Sequence, residues 1–407
     1  MSTRFAQRMS RVTASPTLKV TAEADRLRRQ GVDVVDLGAG EPDFPTPEHV
    51  KMAAHAALDA NFTKYTPSAG VLELREAVGQ RYRIDYGAPI KPEEVIITAG
   101  GKQALYNTAM VLFEQGDEVI THGPYWPTIC DQIKLADATP VVVQTHREEG
   151  FVIKAGAIIA AITPRTKAII VNSPCNPTGA LIAEPEMAAI ADAAAARGIW
   201  VIADLTYERL IYDPVPHNLV SILFDRMRDR TVICSAASKA YAMTGWRCGW
   251  AIGPKDVIEQ CNVIQGHSTS NINSITQKAG IAALTGPQEG VTTMLNEYRK
   301  RRDAVHEWLT ADPRFQCVKP GGAFYLFPYV ADLLSPAGIK STGELAEAML
   351  KEVAVAITPG EGFDAPGFFR LSYATSIERL KEGVSRIQSF VQTLEKSGRI
   401  GAVATNR

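Results

Sequence analysis

The sequence predicts an α/β fold, a mostly parallel central sheet covered by helices, with a smaller α+β domain built from both ends of the chain. Three observations predict it. From about residue 93, short β-rich runs alternate with longer helical patterns, as parallel strands joined by crossover helices do. Most of those runs are continuously apolar, which a sheet covered on both faces requires. Residues 1–47 and 296–395 break the rhythm, with amphipathic helical segments and isolated strands.

In chain order, LKVTAEADRLRRQG reads as an amphipathic helix ending on Gly31, a residue suited to a helix C-terminus. EEVIITAG is a strand leading into the helix KQALYNTAMVLF. DEVITHG, the helical stretch through DQIKLADA and the strand TPVVVQT follow, and the pattern continues through TKAIIVNSP, EPEMAAIADAAAARG, WVIADL, TVICSAA and CGWAIG. GAFYLFP and FFRLSYA are the isolated strands of the C-terminal part. The expected division is an arm and part of the small domain over 1–47, a large domain over 48–295, the rest of the small domain over 296–395, and a loose tail over 396–407.

Composition narrows the function classes. Apolar residues make up 46%, charged ones 21%, and the formal net charge is -1, so neither a disordered chain nor a polyanion-binding surface is expected, and nucleic acid is not an expected partner. The six cysteines, Cys130, Cys175, Cys234, Cys248, Cys261 and Cys317, form no C-x-x-C pair and no Cys/His grouping at metal-ligand spacing. They read as reduced thiols, with no metal site. The N-terminal stretch is basic without an apolar h-region, and no run approaches the length of a membrane span. A cytoplasmic protein is expected.

Ligands of open parallel sheets gather outside the carboxyl ends of the strands, and five such places carry suggestive residues. Gly100-Gly101-Lys102 expose backbone N–H groups at a helix start, which suits a phosphate, although glycines there also serve turn geometry. In GPYWP, Trp126 is either a stacking aromatic or a core residue. NSPCNPTG presents Asn176 on an extended, turning backbone that is equally readable as a structural turn. Asp204 ends a buried strand, where a carboxylate needs a cationic partner or acts as a helix cap. In SAASKAYAMTGWRCGW, Lys239 among small residues is either a solvated loop lysine or a desolvated amine kept as a nucleophile. Together these describe one ligand. A phosphorylated pyridine aldehyde needs an amine, an anion at its ring nitrogen, an aromatic on its face, donors to its phenolate and a cationic phosphate cup. Lys239, Asp204, Trp126, Asn176 with Tyr207, and Gly101 and Lys102 with Arg247 supply these.

Those motifs, with GAGEPDFPTPEHV, KYTPSAGVLELREAV, GAFY and FRLSYAT in the same order, resemble the class I pyridoxal-phosphate-dependent aminotransferases, in the branch of bacterial aspartate aminotransferases. The resemblance runs from about SRVTASPT to SYATS, nearly the whole chain. It implies fold type I of the pyridoxal 5'-phosphate enzymes, with Lys239 as the Schiff-base lysine, Asp204 as the pyridinium partner, and Tyr207 and Asn176 as donors to the phenolate oxygen. Trp126 matches the stacking aromatic, and Arg247 with the amides of Gly101 and Lys102 matches the phosphate cup. Tyr65 matches a tyrosine that reaches the neighbouring subunit's phosphate, so a homodimer is implied. Arg370 matches the arginine for the substrate α-carboxylate, with Gly40 beside it.

Three positions depart from the family pattern: Leu205 stands where relatives usually have an acidic residue, Ala236 where some have a hydroxyl or glycine near the phosphate, with Ser235 or Ser238 as the candidates to compensate, and Thr13 where prephenate-accepting relatives tend to have Lys. The resemblance places Lys102 at the mouth of the site as the partner of a substrate side-chain carboxylate, with Ser15 and Thr17 as further donors. The expected reaction moves the amino group of L-aspartate to 2-oxoglutarate by a ping-pong route. The alternatives are an aminotransferase for aromatic or other neutral amino acids and a β-eliminating lyase. A DNA-attached regulator on this scaffold would need an added N-terminal domain, and none is expected.

Overall fold

The computed structural model describes residues 5–12, 16–213, 215–334 and 336–398. Thr13 and Ser15, the side chain of Thr17, and residues 399–407 of the expected tail lie outside the described residues. Lys396 is the last residue of the helix Ile377–Lys396.

After a first helix, Pro16–Arg29, comes a short strand β1, Val35–Asp36. The central sheet follows: β2 Val95–Thr98, β3 Glu118–Gly123, β4 Thr139–Gln144, β5 Thr166–Asn172, β6 Trp200–Asp204, β7 Thr231–Ala236 and β8 Gly249–Ile252. Their spatial order is β2-β8-β7-β6-β5-β3-β4. The run from β4 to β7 is parallel, and β8 is antiparallel to both its neighbours. The sequence pattern had placed CGWAIG among the parallel strands. The chain instead leaves β7 through a four-residue helix, Ala237–Ala240, and returns without the crossover helix that a parallel return needs.

The continuous apolar runs find their reason in the covering of both faces. Val201 and Ala203 of β6 pack into a core with Tyr82, Met187, Leu223 and Ala279, from helices on one side. Trp200 and Ile202 of the same strand pack on the other side with Ala104, Leu105, Ile133 and Ile258. Successive side chains of a strand point to opposite faces, so both sets must be apolar. β4 differs because it is an edge strand whose residues are half-buried or exposed.

A third core lies beside the sheet. It joins Val35 and Leu37 to Tyr298, Phe324, Phe369 and Ile387. Its strands are β9 Tyr325–Leu326, β10 Val355–Ala356, β11 Thr358–Pro359 and β12 Phe369–Ser372. β1 pairs with β10 in parallel, while β11-β12-β9 form an antiparallel sheet. Residues from both ends of the chain thus share one core. Among the described residues no helix is long and apolar enough to cross a membrane, and no group of three or more His, Cys, Asp or Glu is placed to hold a metal.

Candidate active site

The carboxyl ends of β2, β3, β5, β6 and β7 open onto a cleft of about 710 Å³, which the segment Gly38–Glu41 and the strand ends at Tyr325 and Arg370 complete from the other core. Gly101, Lys102, Trp126, Asn176, Asp204, Tyr207, Ser238, Lys239, Arg247, Gly40 and Arg370 all line it. Eleven positions singled out across 331 residues of sequence therefore meet in one space, the twelfth, Gly100, lying against Arg247.

Asp204 ends β6 in a nearly fully buried position. The Thr206 N–H and hydroxyl both donate to its Oδ1, at 3.2 and 2.7 Å, and among the described residues no donor reaches Oδ2. Burial raises the pKa of this carboxyl, while the Thr206 bonds and the Lys239 charge pull it back. A carboxylate held this way in low dielectric is stabilised by a cation at the remaining oxygen.

Lys239 sits in the four-residue helix after β7, and its Nζ donates to the carbonyl of Gly40. Burial first, then the positive charge of Arg370, lowers its amine to about 8, against the opposing pull of Glu41 and Asp204. A lysine shifted this far keeps a useful fraction of neutral, nucleophilic amine near pH 7.

Arg370 is buried, with Nη1 donating to Asn176 Oδ1 at 2.9 Å and Nη2 to Gly38 O at 2.9 Å. Its guanidinium lies 4.3 Å from the Tyr325 ring centroid and 5.1 Å from that of Phe363. The fork is thus held flat before any ligand arrives, the geometry that bidentate recognition of a carboxylate needs. At Gly40 a Cβ would stand 3.3 Å from Tyr325 Oη, a tight contact, and 3.6 Å from Arg370 Nη2, an ordinary one, so a side chain there would crowd the guanidinium's neighbour.

At the other end, Gly100 caps the helix Gly101–Leu112 with φ +82°, and a Cβ on it would meet the Arg247 guanidinium at 2.5 Å. Arg247 itself adopts a left-handed φ of +56°, uncommon for a non-glycine residue and a feature of functional sites. Its guanidinium bonds the carbonyls of Ala99 and Thr244 at 2.9 and 3.1 Å. A helix N-terminus, its free N–H groups and an adjoining guanidinium make an anion cup. Lys102 is exposed, with Nζ 4.8 Å from the Trp126 ring centroid.

Residues 32–387 match the profile described as Aminotransferase class I and II. The chain belongs to this family. It is 43% identical over 389 residues to the aspartate aminotransferase of Geobacillus stearothermophilus, covering 96% of this chain and 99% of that one. To the aspartate/prephenate aminotransferase of Cereibacter sphaeroides it is 42% identical over 388 residues, covering 94% and 97%. Among solved structures, the Thermus thermophilus aspartate aminotransferase with maleate superposes with a TM-score of 0.89 at 42% identity, covering 95% of this chain and 100% of that chain.

Within this member of the family, the departures read from the sequence have local reasons. Leu205 is buried in the core under the sheet, where no acidic side chain is required. Ala236 lines the cleft without a hydroxyl, and of the two serines Ser238 lines the cleft while Ser235 bonds Glu208 Oε1 at 2.7 Å, away from it. Tyr65 is 92% exposed and does not line the cleft of its own chain. The reading of the motifs missed Tyr325, whose hydroxyl meets that of Tyr207 at 2.7 Å, and Thr206. GAFY carries the first; the second follows from a hydroxyl two residues after Asp204, a spacing at which Asp and Thr commonly bond.

Proposed function

We propose that the protein transfers the amino group of L-aspartate to 2-oxoglutarate, giving oxaloacetate and L-glutamate, with bound pyridoxal 5'-phosphate. The observation that carries this reading is the convergence of a desolvated lysine, a buried carboxylate and a flattened guanidinium on one cleft. The residues fit the cofactor. Asp204 offers the carboxylate for its ring nitrogen, Lys239 the amine for its aldehyde, and Trp126 a face for its ring. Asn176 and Tyr207 offer donors for its phenolate, and Ser238, Arg247, Gly100, Gly101 and the amide of Lys102 form a cup for its phosphate.

When bound, the cofactor supplies a carbonyl that captures the substrate amine and a protonated ring that takes up the electron pair left at Cα. The chain does the rest. Arg370 exchanges its bonds to Asn176 and Gly38 for the two oxygens of the α-carboxylate and so orients Cα. Lys239 Nζ, neutral in part because burial lowers it to about 8, takes the Cα proton as general base and, as general acid, delivers it to the cofactor carbon that carried the aldehyde. Amino donor and 2-oxo acceptor use the same cleft in turn, so ping-pong kinetics are expected.

Lys102 is the cation we assign to the side-chain carboxylate of the substrate, because it lines the mouth of the cleft and its ammonium rests on Trp126. Maleate, the compound in the solved Thermus structure, is itself a dicarboxylate, which supports a second anion site. The test compares kcat/KM for aspartate, alanine, phenylalanine and methionine as donors to 2-oxoglutarate. Aspartate is expected among the best, and a preference for the neutral donors would overturn the assignment. In Lys102→Ala, kcat/KM for aspartate should fall about 10- to 100-fold, the worth of a hydrogen bond to a charged group, with that for alanine little changed.

A cytoplasmic homodimer completes the proposal. Tyr65, Met52, Leu58 and Leu72 are exposed apolar or aromatic residues on neighbouring segments, and such surface marks an interface. Tyr65, too far out to serve its own cleft, is then free to reach the partner's phosphate cup. Light scattering should return twice the chain mass, and a single-chain mass at micromolar concentration would overturn the dimer.

A further inference from the structure

We infer that Glu208 is a positioning residue for Lys239: its carboxylate, in the small cavity beside the cleft, holds the end of β7 and thereby fixes the short turn that aims the lysine into the cleft. The inference rests on the reading of Lys239 as the reactive amine.

Two elements bond this side chain, and a third is tied to it through one of them. Glu208 Oε1 accepts from Ser235 Oγ of β7 at 2.7 Å and from Tyr82 Oη at 2.9 Å. Its Oε2 accepts from Tyr86 Oη at 2.9 Å, both tyrosines belonging to the helix Leu72–Tyr86. Tyr82 Oη in turn accepts from Trp250 Nε1 of β8 at 3.1 Å. Tyr82, Trp250 and Ser235 are almost wholly buried, so water has little access to their ends of these bonds, while Glu208 and Tyr86 are half-buried.

The position of Ser235 gives this cluster its reach. One residue on, Ala236 lines the cleft, and Lys239 follows in a helix of only four residues. A single helical turn has no stability of its own. Its bearing is set by what holds its base: Ala237 N–H on Cys248 O at 3.0 Å, and the Ser235 side chain on Glu208. The same stretch, residues 204–208, carries Asp204, Thr206 and Tyr207 on the cleft side. One stretch therefore places Asp204 and Tyr207 on the cleft and Glu208 on the small cavity beside it, with Thr206 lining both.

A carboxylate drawn out of water, even a half-buried one, is a costly way to satisfy three hydroxyls unless geometry depends on it. The groups facing it are Tyr82 and Tyr86 from the helix, Ser235 from β7, and Arg209 on its own loop. Arg81, Asp85 and Tyr241 line the same small cavity. Burial pushes the carboxyl up to about 7, against the pull of the three hydroxyl donors and Arg209.

The experiment uses full-length protein carrying Glu208→Leu or Glu208→Gln. In the cofactor-loaded enzyme, Glu208→Leu should lower kcat about 10- to 100-fold with KM little changed, the effect of a small misplacement of a reacting group. Glu208→Gln, which keeps an acceptor for Ser235, should recover most of the loss. In cofactor-free protein, the pH dependence of Lys239 labelling by a small amine-reactive reagent, read by peptide mass, should centre near 8 in wild type and move toward the ordinary lysine range in Glu208→Leu. A leucine variant with a lower melting temperature but wild-type kcat and an unmoved labelling midpoint would overturn the inference. Borohydride reduction of loaded wild type that leaves no cofactor on Lys239 would instead overturn the functional reading, and the labelling midpoint would still decide the role of Glu208.

Discussion

Replacement of Lys239 by alanine should lower kcat by about four orders of magnitude, the upper range for a positioned proton-transfer group. The side chain has two roles that no neighbour shares. It is the amine proposed to hold the cofactor, and it is the proposed base at Cα. The neighbouring Arg370 and Arg247 also line the cleft, but a guanidinium offers N–H donors and no acceptor for a proton. Borohydride treatment should fix cofactor to wild type and leave none in Lys239→Ala after dialysis. A variant that keeps the reducible cofactor, or retains more than about one per cent of wild-type kcat, would show that another group does this chemistry. Stability should change little in the cofactor-free protein. Removing the amine relieves its desolvation and leaves the Gly40 carbonyl without its donor, two effects of opposite sign.

The second large effect is expected at Asp204. Asp204→Asn keeps the volume and an oxygen for Thr206, and removes only the charge. Without that charge the ring nitrogen would lose the anion proposed to keep it protonated, and kcat should fall by about two to four orders of magnitude, as for other preorganised electrostatic groups. The same change should not destabilise the cofactor-free protein, and this separates an electrostatic role from a structural one. The folded-state pKa of Asp204 lies above its ordinary value because of burial. The folded state therefore binds a proton more readily than the unfolded chain, and the burial penalty is fully present above the folded-state pKa and is relieved as pH falls through it. Above that pKa the asparagine variant escapes the penalty, so there its cofactor-free melting temperature should equal or exceed that of wild type. A variant that loses stability and activity together would point to a merely structural carboxylate.

How much of this was legible in the chain differs from residue to residue. Lys239, Asp204 and Asn176 were readable because each follows an apolar strand, where a polar side chain needs a reason, and because the carboxyl ends of parallel strands share one edge. Arg247 was readable only with the Gly100 turn, since the two meet across 147 positions of sequence. Tyr325 and Thr206 were missed as site residues for a different reason: hydroxyls are common in strands and turns, and only their partners, Tyr207 and Asp204, mark them out. Glu208 carried no signal at all. An acid beside an arginine on a loop reads as solvated surface, and nothing local shows that Tyr82, Tyr86 and Ser235 converge on it.

By itself the sequence determined the element types and their order, because apolar periodicity and turn residues act over a few positions. It also determined the chemical inventory of the site, through the residue types at the strand ends. The tertiary structure alone decided that β8 runs against its neighbours, that Ser238 rather than Ser235 faces the cleft, and that Arg370 is held flat by Asn176 and Gly38. It also set the reactivity of Lys239. A lysine acquires an amine near 8 only when burial strips its water and other cations crowd it, and burial is a property of the packed chain rather than of any stretch of it.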